Sequence, residues 1–247
     1  MLGRRLHHTD FGDGSHSEPD NPIFTEHIGQ LGPKFINRSC VECHINNGRA
    51  LPAAIGTPLT KWVFKVGSDA SGSLHPTLGS VLQPQAASGP NEGSVSIASY
   101  TTTSGQYGDG TPYSLQKPNY AFTGTTPAFF SARIAPQLVG LGLLEAVIES
   151  SIQALADPGD TNADGISGRV QTVTDPETGQ LRLGRFGYKG ARARVSHQIA
   201  GALNTSPALV ESYVSAAAKV SRLALGHESA LAQKTYTTPS DFSQTRQ

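Results

Sequence analysis

The two cysteines of the chain are separated by two residues and followed directly by a histidine, in the order Cys40-Val41-Glu42-Cys43-His44. This C-x-x-C-H spacing is the attachment signature of c-type haem. Two thiols at this spacing add to the two vinyl groups of a porphyrin, and the adjacent imidazole reaches the iron from the proximal side. The motif therefore predicts covalently bound haem c, with Cys40 and Cys43 as thioether sites and His44 as iron ligand.

Two cysteines at this spacing also occur in disulfides, thioredoxin-like redox pairs and zinc sites. A disulfide or a redox pair does not require His44, and no βαβ pattern surrounds the motif. A zinc site would need two further soft ligands, and no other cysteine or close histidine pair near the motif supplies them. Haem attachment is thus the preferred interpretation, with a disulfide or a chance match as alternatives.

The sequence leaves the second iron ligand open. Its one methionine is Met1, and an initiator is a poor ligand, which argues against the Met/His pair of electron-carrying cytochromes. The other histidines are His7, His8, His16, His27, His75, His197 and His227. Of these, His75 and His197 are the first candidates. The alternatives are a tyrosine, water or an open position, and an open position favours peroxide or small-ligand chemistry.

An oxygen-rich loop at residues 160–165 (DTNADG) is a second candidate site. Oxygen-bearing side chains at alternate positions, followed by a glycine turn, form the first half of an EF-hand-type Ca²⁺ loop. The side chains that can converge on one hard cation are Asp160, Asn162 and Asp164. The carbonyl of Ile166 would add a ligand, but the twelfth position is Gln171 instead of glutamate. A solvated turn is therefore the alternative to a Ca²⁺ site.

The composition excludes several classes of protein. At about 150 residues per domain, 247 residues make one to two domains. Lys plus Arg and Asp plus Glu each number 19, and only 15% of residues are charged. These values argue against a disordered polyelectrolyte, a coiled coil and a basic nucleic-acid binder. No run of 18 apolar residues predicts a membrane span.

The elements that must position these residues are predicted to be mainly helical. Apolar residues recur at spacings of three and four from Pro136 onward, at Leu138, Leu141, Leu144, Ile148, Ile152 and Leu155. Further helices are predicted over residues 192–203 and 206–226, the latter with Ser206 as N-cap and Pro207 in its first turn. Minor strands are predicted over residues 61–66, 95–103 and 119–123, the last two as a pair.

These patterns together predict a mainly α fold, a cytochrome c-like haem domain with long loops and a few minor strands. The long loops follow from 27 glycines and 16 prolines, which concentrate in stretches such as residues 67–93. We expect an irregular N-terminal segment over residues 1–30 and the haem domain over residues 31–204. Residues 205–247 are expected to form a C-terminal helix and tail.

The haem motif is part of a longer similarity. Residues 35–44 (FINRSCVECH), followed by Gly48-Arg49, resemble the first haem site of bacterial di-haem oxidoreductases, which are related to di-haem cytochrome c peroxidases. Further similar stretches are residues 109–115 (DGTPYSL), 136–146 (PQLVGLGLLEA), 164–169 (DGISGR) and 184–189 (GRFGYK). They stand in the order of the family and cover roughly residues 30–203, so the C-terminal helix and tail expected over residues 205–247 lie outside the similarity. The family carries a second C-x-x-C-H, whereas this chain has no third cysteine.

The resemblance implies roles for three further residues. In the related peroxidases a distal glutamate moves a proton between the two peroxide oxygens, and Glu145 is the matching position. Arg185 would stabilise developing negative charge or a haem propionate. Tyr188 stands where the family usually has tryptophan, and either ring could relay an electron.

Three functional hypotheses follow. The first is an exported, periplasmic haem oxidoreductase of peroxidase-like type, which takes electrons from a small redox protein and reduces hydrogen peroxide or another small oxidant. Export is expected because bacteria attach haem c outside the cytoplasm, although residues 1–30 contain no apolar signal segment. The second is a non-enzymatic electron-transfer or haem-binding module that serves a haem-bearing partner. The third is an inactive remnant.

Overall fold

The computed structural model describes residues 2–203. Their elements are α1 (Leu2–His8), β1 (Lys34–Phe35), β2 (Trp62–Gly67), β3 (Gln85–Ala86), β4 (Val95–Gln106), β5 (Pro112–Phe122), β6 (Phe129–Ile134), α2 (Leu141–Ala146), α3 (Glu149–Gln153), β7 (Gln171–Thr174), β8 (Leu181–Gly184) and α4 (Val195–Leu203). The helix predicted over residues 206–226 lies outside the described residues. The described chain divides into two compact units, residues 7–138 and residues 2–6 with 139–203.

The described part of the chain is mainly β, so the prediction of a mainly α fold is wrong. Its four α-helices are short, and the longest, α4, has nine residues. Strands β4 and β5 instead extend over 12 and 11 residues. The physical reason is that their threonine, tyrosine and phenylalanine side chains favour extended backbone, while glycines shorten the apolar helical pattern.

Four two-stranded antiparallel sheets organise the strands of the described residues. The predicted pairing of residues 95–103 with 119–123 is confirmed, since β4 pairs with β5 from Val95 opposite Phe122 to Gln106 opposite Pro112. The strand predicted over residues 61–66 is confirmed as β2, which pairs with β6. The other pairs are β1 with β3 and β7 with β8.

The core of the unit formed by residues 7–138 lies at the base of the β4–β5 hairpin. Its buried residues are Leu59, Phe64, Val66, Leu78, Leu82, Val95 and Ile97. Each fully buried side chain of this size contributes about 1.5–3 kcal/mol to stability. Most residues of β4 beyond Ile97 are exposed, so the base of the hairpin and not its far end is held by apolar packing.

In the unit that contains residues 139–203, the single helix predicted from Pro136 is two short helices. Gly140 has a φ of 76° and precedes α2, so the helix begins only at Leu141. Val147 and Ile148 have extended backbone and separate α2 from α3. The helix predicted over residues 192–203 is confirmed from Val195 onward as α4. Among the helices of residues 2–203, none has the length and apolar character needed to cross a membrane.

Candidate functional site

The C-x-x-C-H motif forms one helical turn. The backbone N–H groups of Cys43 and His44 both donate to the carbonyl oxygen of Cys40, at 3.2 and 3.0 Å. Residues three apart on such a turn share a face, which places the two thiols on the same side. Both cysteines are free thiols in the structure. The turn thus presents two thiols and one imidazole together.

The ring of His44 is oriented by the main chain. Its Nδ1 lies 2.8 Å from the carbonyl oxygen of Pro136. Because a carbonyl only accepts, Nδ1 carries the proton and Nε2 keeps its lone pair. Burial lowers the pKa of His44, so the ring is neutral at neutral pH. Metal-ligating histidines typically show this arrangement, with the second ring N–H held by a carbonyl or carboxylate.

The surroundings of the thiols disfavour a redox-active pair. Burial raises the pKa of Cys40 to about 11, and burial also raises the pKa of Cys43. A catalytic dithiol needs a lowered thiol pKa, because the thiolate is the nucleophile. Asn37 Nδ2 donates to Cys43 Sγ at 2.9 Å and also to the carbonyl of Thr60 at 2.8 Å. Both thiols are therefore protonated, and Cys43 is held in a fixed environment.

The structure brings His7 to the motif, a residue that sequence reasoning did not prefer. The ring centroids of His7 and His44 are 6.3 Å apart, and the backbone N–H of Val41 donates to the His7 carbonyl at 3.3 Å. Nε2 of His7 is buried and has no hydrogen-bond partner. Burial, with smaller contributions from His8 and His44, lowers the pKa of His7 to about 4. A neutral imidazole with an unpartnered nitrogen thus lies beside the proposed iron ligand.

His75 and His197 are the two candidates for the second iron ligand that were predicted from the sequence, and their surroundings differ from those of His7. Nδ1 of His75 accepts hydrogen bonds from the backbone N–H groups of Thr77 and Leu78, at 3.3 and 3.2 Å, and so closes its own turn. His197 lies on α4, and its Nδ1 is buried without a hydrogen-bond partner. Neither observation connects these residues with the haem motif.

Glu145, the predicted acid/base residue, contacts the start of α4. One of its carboxylate oxygens accepts a hydrogen bond from the backbone N–H of Val195 at 3.1 Å. The first N–H groups of a helix have no partner within the helix, so this carboxylate satisfies one of them. Glu145 therefore has a structural contact, and its role in peroxide chemistry stays a prediction.

Arg185 contacts the C-terminal end of α2. Its Nη1 donates to the carbonyl oxygens of Leu144, Glu145 and Val147, at 3.0, 3.2 and 2.6 Å. The side chain is 7% exposed, and it satisfies carbonyls at the end of α2 that the helix leaves free. Tyr188 is 56% exposed. Charge stabilisation by Arg185 and electron relay by Tyr188 likewise stay predictions.

In the loop at residues 160–165, the oxygens predicted to bind Ca²⁺ already accept hydrogen bonds. The carboxylate of Asp160 accepts from the backbone N–H groups of Asp164 and Gly165. Asp164 accepts from the backbone N–H of Ile166 and the side-chain amide of Asn162. The carboxylates thus stabilise the turn by themselves, and Ca²⁺ binding stays a prediction.

Residues 125–217 match the model of the family described as "di-haem oxidoreductase, putative peroxidase". Over these residues the match confirms the resemblance seen in the sequence. The matched segment includes Glu145, Arg185 and Tyr188, whereas the C-x-x-C-H motif precedes it. No curated protein and no solved structure matches the chain.

Proposed function

We propose that this relative of the di-haem oxidoreductases is a c-type haem domain that transfers electrons through one covalently attached haem. Cys40 and Cys43 would form the thioethers and His44 would bind the iron. When bound, the haem supplies an iron that takes up and releases one electron, with a potential tuned by its axial ligands. The observation that carries the proposal is the hydrogen bond from His44 Nδ1 to the Pro136 carbonyl, which leaves Nε2 for the metal.

The unpartnered nitrogen of His7 also fits such a group. The centroids of His7 and His44 are separated by 6.3 Å. We therefore include His7 in the proposal as a residue that would hold the iron together with His44. If both imidazoles held the iron, the haem would supply one-electron transfer, which is the chemistry best supported.

Peroxide reduction is the second candidate, because the family match covers Glu145, Arg185 and Tyr188. In this case Glu145 would hand a proton from one peroxide oxygen to the other, as a general acid/base. Arg185 would need to exchange some of its main-chain hydrogen bonds for a negatively charged group. This candidate requires an iron position that is open to peroxide.

The test is the absorption spectrum of the chain matured with the haem c attachment machinery. We expect haem that stays with the protein after acid–acetone extraction and a six-coordinate low-spin ferric spectrum that peroxide leaves unchanged. The double variant Cys40→Ala/Cys43→Ala should release its haem on extraction. Complete extraction from the wild-type chain would disprove covalent attachment, and a high-spin spectrum that responds to peroxide would favour the second candidate.

The proposal includes a compartment and a partner. Haem c is attached outside the cytoplasm in bacteria, so we place the protein in the periplasm or another exported location. A small redox protein or a haem-bearing protein would exchange electrons with it. Fractionation of cells that produce the full-length protein checks the location, and recovery in the cytoplasmic fraction with haem attached would contradict it.

Ca²⁺ at residues 160–165 is a separate part of the proposal. Its support is the oxygen-rich pattern of Asp160, Asn162 and Asp164, with the Ile166 carbonyl as a further ligand. We expect Ca²⁺ to raise the melting temperature and Asp160→Asn to abolish that increase. A melting temperature that is the same in excess Ca²⁺ and in chelator would remove the Ca²⁺ site and leave a hydrogen-bonded turn.

A further inference from the structure

Three potential metal ligands meet in a segment that the haem proposal does not use. His8, His16 and Glu18 each offer one ligand atom, and these three atoms lie within 4.8 Å of one another. All three residues are half-buried. Such a set differs from a patch of surface acids, because two of its three members are imidazoles.

Main-chain contacts hold the two histidines next to each other. Thr9 and His16 form an isolated antiparallel bridge, and the backbone N–H of Ser17 donates to the His8 carbonyl at 3.0 Å. Thr9 is fully buried, which anchors this bridge. The His8 and His16 rings are stacked, with centroids 5.1 Å apart and an angle of 18° between their planes. These backbone contacts therefore bring the imidazoles of His8 and His16 close together.

Protein groups also occupy Nδ1 of each ring. Nδ1 of His8 lies 2.7 Å from the hydroxyl oxygen of Ser17. Nδ1 of His16 accepts a hydrogen bond from the backbone N–H of Glu18 at 3.1 Å and lies 3.4 Å from the Glu18 carbonyl oxygen. When Nδ1 of His8 is protonated it donates to the Ser17 hydroxyl oxygen, and Nε2 of His8 then keeps its lone pair. For His16 to bind a metal through Nε2, its proton must move to Nδ1, where it can be donated to the Glu18 carbonyl oxygen. Metal-binding histidines are commonly oriented by such a contact at the second nitrogen.

We propose that His8, His16 and Glu18 bind one divalent transition-metal ion of the Zn²⁺ class. Two imidazole nitrogens and one carboxylate oxygen suit Zn²⁺ and similar ions, whereas Ca²⁺ and Mg²⁺ prefer all-oxygen sites. Three protein ligands leave a coordination position for water. Bonds of about 2 Å to one tetrahedral metal place ligand atoms about 3.3 Å apart, so atoms already within 4.8 Å of one another can reach it by side-chain rotation.

The site also has a structural consequence for the haem motif. The His8 ring packs edge-on against the His7 ring, with centroids 5.2 Å apart. A metal bound to His8 would fix the end of α1 and, through this contact, the position of His7. The site itself does not depend on haem, since none of its ligands belongs to the C-x-x-C-H motif.

The test is calorimetric titration of the full-length chain with Zn²⁺, compared with Ca²⁺ and Mg²⁺. We expect one tight Zn²⁺ site, with affinity lowered at least tenfold in His16→Ala and in the conservative variant Glu18→Gln. The control is His75→Ala, which removes an imidazole outside the cluster and should leave the affinity unchanged. Titration with Co²⁺, followed by its visible absorption, provides a second readout of coordination.

Two results would overturn the proposal. One is the absence of tight Zn²⁺ binding in the wild-type chain, and the other is equal Zn²⁺ affinity in the wild-type, His16→Ala and Glu18→Gln chains. Both substitutions leave the two cysteines, His7 and His44 unchanged. The difference between wild type and variant therefore reports on this site whether or not haem is attached, so its failure is distinguishable from failure of the haem proposal.

Discussion

At the scale of single residues, the haem proposal depends on two imidazoles and on the main chain that holds them. The carbonyl that orients His44 belongs to Pro136, and the nearby Leu138 N–H donates to the Asn47 carbonyl at 2.8 Å. Asn47 follows the haem motif by three residues, so two main-chain contacts fasten this segment to it. Side-chain substitution at residue 136 leaves the carbonyl in place. The haem proposal therefore assigns the ferric spectrum to the side chains of His44 and His7.

Substitution of His7 tests whether it is the second axial ligand. We expect His7→Ala to keep its covalent haem but to change the ferric spectrum from low-spin to high-spin, because one strong-field nitrogen ligand is lost. Absorption and electron paramagnetic resonance spectra measure this change. His75→Ala and His197→Ala serve as controls and should keep the wild-type spectrum. A low-spin spectrum in His7→Ala would show that another group fills the position.

Two substitutions at Glu145 separate its structural hydrogen bond from its predicted acid/base role. Glu145→Ala removes the acceptor for the Val195 N–H and should lower the free energy of unfolding by about 0.5–2 kcal/mol. Glu145→Gln retains an acceptor oxygen, so its stability should stay close to wild type, within about 0.5 kcal/mol. Urea unfolding of both variants measures the difference.

The Glu145 variants also test whether this residue transfers a proton in the reaction with peroxide. If Glu145 transfers a proton, Glu145→Gln should slow the reaction with peroxide by about a hundredfold or more while the fold is intact. If its role is structural, Glu145→Gln should react like the wild type. Rapid-mixing measurements of the haem absorption distinguish the two results.

At the scale of elements, a buried ion pair connects the β7–β8 hairpin with the start of α4. Asp175 directly follows β7 and is 1% exposed, and one of its carboxylate oxygens forms an ion pair with Arg194 Nε at 2.7 Å. Burial alone would raise the pKa of Asp175, but the Glu177 N–H and Arg194 outweigh it and lower the pKa below its usual value. The folded state therefore prefers the ionised carboxylate.

This ion pair predicts an acid-dependent loss of stability. Because the pKa of Asp175 is lower in the folded than in the unfolded chain, its contribution is complete above the ordinary carboxyl pKa of about 4. The contribution is lost as pH falls from there through the lowered pKa. Asp175→Asn should lower the free energy of unfolding by about 1–3 kcal/mol at neutral pH and weaken the decline below pH 4. Unfolding in urea across a pH series tests both effects.

Glu177→Gln is the matched control for this experiment. Glu177 also pairs with Arg194, at 3.2 Å, but its side chain is 46% exposed. Exposed ion pairs contribute little to stability, so this variant should change it by less than about 1 kcal/mol. An equal effect of the two substitutions would contradict the special role of the buried carboxylate.

The elements also show how far the sequence determines the structure. The β4–β5 hairpin is predictable, because its threonine and aromatic residues favour strands locally and pair with neighbours along the chain. The helix from Pro136 is not, because the apolar spacing continues across Val147 and Ile148, where the backbone is extended. The thiols and His44 can be predicted from their spacing alone. His7 cannot, because α1 and the motif meet only in the folded chain.

At the scale of the whole molecule, the sequence contains one haem motif, whereas the resembling family has two. Cys40 and Cys43 are the only cysteines among its 247 residues. A single haem iron exchanges one electron at a time, whereas reduction of peroxide to water consumes two. The chain would therefore need a second electron from a partner or from one of its own aromatic side chains to complete that reaction.

The single haem motif predicts how many electrons each chain takes up. Reductive titration of the ferric protein should take up one electron per chain with a single midpoint potential, and haem analysis should find one haem per chain. If an electron-transfer partner supplies the second equivalent, peroxide consumption should appear only when that partner is added. Uptake of two electrons per chain would instead reveal a second redox group in addition to the haem.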